Sequence, residues 1–216
     1  MLDLDPQTFI TRAIILVVAF TIHELSHALV ATYFGDDTPR RTGRLTLNPL
    51  AHLDPLGSLL MIVQGFGWAK PVQINPYTLQ RRSSAALMWV SLAGPASNFA
   101  LALLAAIPFW LGLTTLNQAS VANSGWLPTP SWFLAEWVFT NLLLMLFNML
   151  PIAPLDGEKV AIYLLPGPVG RFFETIRPYG PIILLAVVFL GPTIGLNFFN
   201  WIIIPPLQAM FQFLIG

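Results

Sequence analysis

The apolar run from about Ala13 to Phe34 carries His23-Glu24-Leu25-Ser26-His27 in its middle, and this stretch constrains the chain more than any other. On a helix, residues four apart stack on one face, so His23 and His27 present two imidazoles to one ion. Glu24 follows His23 directly, within reach of a water beside such an ion. This is the HExxH pattern: two neutral imidazole ligands and a carboxylate general base. A chance polar string on a surface helix fits badly, because Ile14 to Phe20 lies on one side and Ala28-Leu29-Val30 on the other. Three ionisable groups in hydrocarbon cost several kcal/mol unless they face a protein interior and share a task.

Charged residues make up 9% of the chain and hydrophobic residues 56%, with a mean hydropathy of +0.70. A soluble domain carries about 25% charged residues. Together with apolar runs about twenty residues long, these values predict a multi-pass integral membrane protein. Its fold class is all-α: a polytopic bundle of about four to five transmembrane helices, in one domain over residues 1–216. The catalytic core spans about 9–165 and a C-terminal membrane segment about 179–216. Zero net charge and the lack of a basic block exclude a nucleic-acid partner. With no cysteine, any metal must be held by nitrogen and oxygen. Asp3 and Asp5 stand where a signal peptide would be basic, so the first apolar segment is expected to be retained.

Span one covers about Phe9 to Phe34, and Gly35 to Pro39 ends it. The apolar piece from Gly57 to Trp68 is too short and glycine-rich to cross as a helix, and reads as a re-entrant or interfacial loop. Lys70 to Pro76 reads as extended. Span two covers about Ala85 to Gly112, with Gly94-Pro95-Ala96-Ser97-Asn98 at mid-depth. A polar loop follows from Leu113 to Ser131. Span three begins near Trp132, must kink at Pro151 and Pro154, and resumes at Asp156 to about Leu165. The apolar stretch after Ile182 is broken by Gly191-Pro192 and Pro205-Pro206, and crosses once or twice.

Six of the ten basic residues (Arg40, Arg41, Arg44, Lys70, Arg81 and Arg82) lie between spans one and two, and Lys159, Arg171 and Arg177 follow span three. The Leu113–Ser131 loop has none. The positive-inside rule therefore puts the N-terminus outside and both basic segments in the cytoplasm. Trp110, Trp126, Trp132 and Trp137 bracket the outer loop as an aromatic belt would.

Two histidines leave a zinc ion short of its usual three protein ligands. At about 1.5 Å per residue, His23 and His27 lie roughly 10–17 Å in from the inner end of span one, and Asp156 roughly 14 Å from the same surface. The matching depths make Asp156 the best third ligand; the alternative is a simple helix cap. His52 can be a fourth ligand, a gate, or the anchor of the Asn48–Asp54 turn, and the anchor is favoured.

His23 to His27, together with Asn148-Met149-Leu150-Pro151-Ile152-Ala153-Pro154-Leu155-Asp156-Gly157, resembles the site-2 protease family of intramembrane zinc metalloproteases. Asn48 to Gly57, Gly67 to Val72 and Ala93 to Asn98 resemble the short bacterial and archaeal members that lack a PDZ or CBS domain. The similarity runs from about Ile14 to Tyr179. It implies one zinc ion on His23, His27 and Asp156, with Glu24 as base and proton shuttle. It further implies that Asn98 and Asn148 steady the substrate backbone, although intramembrane asparagines also simply bridge helices. Trp68 to Asn75 resembles the family's re-entrant loop, which can pair with an extended substrate strand.

The expected activity is a zinc endopeptidase in a bacterial inner membrane, with its active site toward the cytoplasm. It would cut single-span or membrane-anchored proteins in or near their membrane segments. A metal-ion transporter is a rival, but such folds tend to show internal repeats and none is visible here. A catalytically inactive binding homologue is the other rival, and the intact Glu24 argues against it.

Overall fold

The computed structural model describes residues 6–57, 60, 68–119, 127–165 and 167–216. Among these the chain is helical, with no strand beyond a single antiparallel bridge between Leu53 and Ala69. Four stretches are long and apolar enough to cross a membrane: Pro6–Tyr33, Ala86–Trp110, Pro130–Asn148 and Pro168–Leu190. The chain is a membrane protein. The expected re-entrant segment, Gly57 to Trp68, falls mostly outside the described residues.

Helix α1 (Pro6–Tyr33) lies against α2 (Ala86–Trp110), and α3 (Pro130–Asn148) packs on α2 as well and meets α1 where Leu144 lies on Leu16, Ala19 and Phe20. Helix α2 is therefore the centre of the bundle. Its buried positions are small (Ser91, Gly94, Ala102, Ala105 and Ala106 among them), which lets the neighbouring backbones come close. In lipid, apolar burial gives no net pull between helices, so this close packing must supply the attraction. Thr129 caps α3 by accepting from the Trp132 N–H at 3.2 Å, and Pro130 follows at the first helical position, where no donor is needed.

Helix leaves the chain at Asn148 and resumes at Asp156, where the sequence places the resumption, as α4 (Asp156–Leu164). The break between them is a non-helical segment with a cis Ala153–Pro154 bond, so the two helices are separate pieces and not one bent rod. Helix α5 (Pro168–Ile176) turns back along α4, where Arg177 donates to the buried Glu158 at 2.5 Å. A further apolar helix continues to Leu190, through a π-helical turn at Ala186–Leu190.

The last helix, α6 (Ile204–Ile215), packs Leu207, Leu214 and Ile215 against Ala102, Ala105 and Ala106 of α2 and Val138 and Leu142 of α3. The Trp110 indole N–H donates to the Leu214 carbonyl at 2.6 Å. This places the C-terminus at the same end of the bundle as the loop after α2. Large apolar side chains such as Leu104, Phe189, Trp201 and Phe213 point outward, as a lipid-facing surface requires.

One consequence is measurable in the cysteine-free background. In intact cells an impermeant thiol reagent should treat Asn117→Cys and Gly216→Cys alike and Ser84→Cys oppositely. Equal labelling of Ser84→Cys and Asn117→Cys would mean that α2 does not separate two compartments.

Candidate metal centre

Helix α1 turns His23, Glu24 and His27 inward, and all three are buried. The rings stand edge to face with centroids 4.7 Å apart, against α2 at Gly94. A methyl group at position 94 would run into His27 Nε2 and into the His23 ring. Glycine there is required by the two imidazoles and not by backbone conformation.

The break after α3 brings Asp156 to the same spot. Gly157 makes the return tight enough, since a side chain there would collide with the Met149 and Leu150 carbonyls. Three donor atoms then converge. His23 Nε2 lies 3.0 Å from His27 Nε2, and Asp156 Oδ2 lies 3.2 Å from each. Among the described residues these three form a group able to hold a metal ion.

The remaining ring nitrogens explain why the group suits a cation. His27 Nδ1 donates to the Val90 carbonyl at 2.6 Å, and His23 Nδ1 donates to Asn98 Oδ1 at 2.6 Å. With the proton on Nδ1 in both rings, both Nε2 atoms are bare. Two nitrogen lone pairs and a carboxylate oxygen facing one another repel unless a positive ion lies between them. A tetrahedral ion with bonds of about 2.0–2.1 Å sets its ligand atoms roughly 3.3 Å apart. The observed separations are close to that spacing, so the site fits a metal.

Glu24 is held from a different quarter. Its Oε2 accepts from the Val72 backbone N–H at 2.9 Å. Val72 belongs to the non-helical segment before the short helix Pro76–Arg82, and that segment is pinned on both sides of it. The buried Arg44 donates to the Ala51, Lys70 and Pro71 carbonyls at 2.5, 3.0 and 3.3 Å. Buried Asp36 accepts from the Asn75 N–H at 2.6 Å and the Thr38 N–H at 2.9 Å.

The chain is 41% identical over 191 residues to "Putative zinc metalloprotease YwhC" of Bacillus subtilis (strain 168), covering 88% of this chain and 83% of the relative. It is 34% identical over 198 residues to "Putative zinc metalloprotease Rip2" of Mycobacterium tuberculosis (strain ATCC 25618 / H37Rv), covering 85% and 68%. An archaeal relative, "Putative zinc metalloprotease MJ0611" of Methanocaldococcus jannaschii, is 30% identical over 156 residues. The chain belongs to this site-2-protease-like family of zinc metalloproteases. No family model matches it, and no solved structure does.

Among the other residues singled out from this family's pattern, Asn98 is fully buried and engaged at both ends: its Oδ1 faces His23 and its Nδ2 donates to Asn141 Oδ1 at 3.1 Å. Asn148 is half-buried at the end of α3 and donates to the Leu144 carbonyl of its own helix at 3.0 Å. His52 stands apart from the metal group. Its Nε2 bonds the Thr46 carbonyl at 2.8 Å and its own carbonyl accepts from the Lys70 N–H at 2.8 Å, which makes it the anchor of the Asn48–Asp54 turn.

Five groups around the site have contacts that were not assigned from the sequence. Asn141 had a usable signal, a lone amide in an apolar span seven residues before Asn148. Arg44 and Asp36 were seen only as a topological charge and a helix stop. The Val90 carbonyl and the Val72 N–H are backbone atoms, which no residue type announces.

Metal analysis of detergent-purified protein tests the assignment. Asp156→Asn and His23→Ala should each lose most of the bound metal, and Glu24→Gln should keep it. Gly94→Ala should also lose metal, although residue 94 is no ligand, because its methyl displaces both rings. Full occupancy in Asp156→Asn would remove Asp156 from the ligand set.

Proposed function

We propose that this protein is an intramembrane zinc endopeptidase that hydrolyses a peptide bond in or near a transmembrane segment of another membrane protein. The observation that carries this reading is the burial of His23 and His27 on an apolar helix, with the half-buried Asp156 against them and Glu24 on the same turn of α1. A metalloprotease centre in that setting meets peptide bonds that are themselves in the membrane. One zinc ion on these three residues, when bound, supplies Lewis acidity toward the scissile carbonyl and lowers the pKa of a coordinated water.

In this reading the chain's own groups do the rest. Glu24 takes a proton from the attacking water and gives it to the leaving amine. The Val72 N–H keeps Glu24 Oε2 turned away from its free rotamers, so the second carboxylate oxygen is presented in a fixed direction. Asn98, engaged by His23 and Asn141, serves the metal ligand. Asn148, bonded only within its own helix, is the better placed of the two asparagines to turn toward a substrate carbonyl.

The substrate must unwind locally, because a helix hides its carbonyls in its own hydrogen bonds. In lipid each freed backbone group costs several kcal/mol unless the enzyme takes it up. The Lys70–Asn75 segment is non-helical and held at its ends, which suits it to receive such a strand. The basic residues on either side of it favour an active site opening toward the cytoplasm of a bacterial inner membrane, with the N-terminus outside. The partners are then single-span or membrane-anchored substrates and the surrounding bilayer.

Co-expression with a panel of single-span membrane proteins tests the activity. A true substrate should be cut by the wild type and accumulate uncut with Glu24→Gln, a loss of about 10²–10⁴-fold. If no panel member and no unfolded model helix differs between the two, the reading fails. Val72→Pro deletes the N–H on Glu24 and holds Pro71, the residue before it, to an extended backbone. Losing one charge-assisted hydrogen bond should slow cleavage about 10- to 100-fold at unchanged zinc content. Substrates with Asn-Pro near the scissile bond should be cut faster than an all-leucine helix.

A further inference from the structure

His23 can serve a metal only through a bare Nε2, and the choice of which ring nitrogen is bare is made away from the ring. Its Nδ1 lies 2.6 Å from the side-chain amide of Asn98. An amide has nearly the same shape either way round, so Asn98 can offer that nitrogen an oxygen or an NH₂ group. The oxygen demands Nδ1–H and leaves Nε2 free. The NH₂ demands a bare Nδ1 and moves the proton to Nε2, where it would block the metal.

Nothing on Asn98 itself decides between the two. Its other end meets Asn141, again an amide, at 3.1 Å. Asn141 meets the Trp137 backbone carbonyl at 3.0 Å, and a carbonyl can only accept. From that fixed point the directions follow in order. Asn141 aims its NH₂ at Trp137 and so turns its oxygen to Asn98. Asn98 answers with its NH₂ and so turns its oxygen to His23. Both asparagines are fully buried.

We propose that Asn141 is a positioning residue that sets the tautomer of His23. A helix carbonyl on α3 dictates, through amides on α3 and α2, which nitrogen of an imidazole on α1 is free to bind. The neighbouring ligand has no such dependence, because His27 Nδ1 bonds the Val90 backbone carbonyl directly. The inference rests on the metal-site reading for these two histidines, but its first test needs neither metal nor activity.

Two variants separate this role from mere bridging of helices. Asn141→Leu keeps the branching and the number of heavy atoms and removes both polar atoms. Asn141→Asp presents an oxygen to Asn98 whether it is protonated or not, so it should preserve the order of the chain. Ring-¹⁵N spectra of histidine-labelled, metal-free full-length protein, recorded at alkaline pH, report each tautomer. Wild type and Asn141→Asp should show His23 and His27 both protonated on Nδ1. Asn141→Leu should show a mixed or switched His23 beside an unchanged His27, which also certifies that the bundle has folded. Chelator competition should then give a zinc affinity about 10-fold weaker for Asn141→Leu and within about twofold of wild type for Asn141→Asp. His23 left unchanged in Asn141→Leu overturns the proposal. So does equal disturbance of both histidines in both variants, which is what a purely structural bridge would give. Loss of zinc from Asp156→Asn alone, with the tautomers as stated, would leave this proposal standing whatever the fate of the protease reading.

Discussion

Two imidazole nitrogens and a carboxylate oxygen converge at 3.0–3.2 Å inside a bundle built otherwise of hydrocarbon. Placed so, with no proton among them, they repel, and a cation between them relieves that repulsion. Much of the fold can be read as the means of bringing them there. Helix α2 must be small where it meets α1, because two rings lie in the contact at Gly94. Helix α3 must stop before the site, because an uninterrupted helix would carry Asp156 past it. Gly157 must be bare, because the return after Leu150 is close to the backbone.

The same setting explains why both histidines carry a second contact. Leaving a buried polar atom unpaired costs several kcal/mol in hydrocarbon, where no water replaces the missing partner. His27 solves this with the Val90 carbonyl and His23 with Asn98, which then needs a partner itself and finds Asn141. A polar network in a membrane protein must therefore grow outward until it ends on a backbone atom. Here it ends at Trp137, and the requirement to end somewhere gives the network a direction.

How much of this was legible in the sequence depended on whether a residue's type or a backbone atom carried the information. His23, Glu24 and His27 announced themselves by spacing, because four residues make one face of a helix. Asp156 followed from depth, since a carboxylate in an apolar stretch has few reasons to be there. The limits of spans one to three were readable from length and from Gly and Pro. The contact between Glu24 and Val72 was not, because any residue except proline supplies that N–H. Nor was the course of the C-terminal stretch, whose glycines and prolines mark breaks without saying which way the chain then runs. Its return to α2 is fixed by packing of Leu207 and Leu214 and by the Trp110 indole, contacts between residues about a hundred positions apart in sequence.

The site thus has two halves with different mechanical origins. His23, His27 and Asp156 sit on helices, and the second contacts of both histidines are on α2, so their geometry changes only if the bundle does. Glu24 sits on the same rigid α1, yet its carboxylate is aimed by a loop. That loop is held through carbonyls gripped by Arg44 and through the Asn75 N–H gripped by Asp36, both of which lie outside the spans. A disturbance of the Arg44 and Asp36 contacts would leave His23, His27 and Asp156 in place and release Glu24. An approaching strand that competed for the Val72 N–H would act on the base alone. The metal half is built to be permanent, and the base is the part of this site whose orientation answers to what lies beside the membrane.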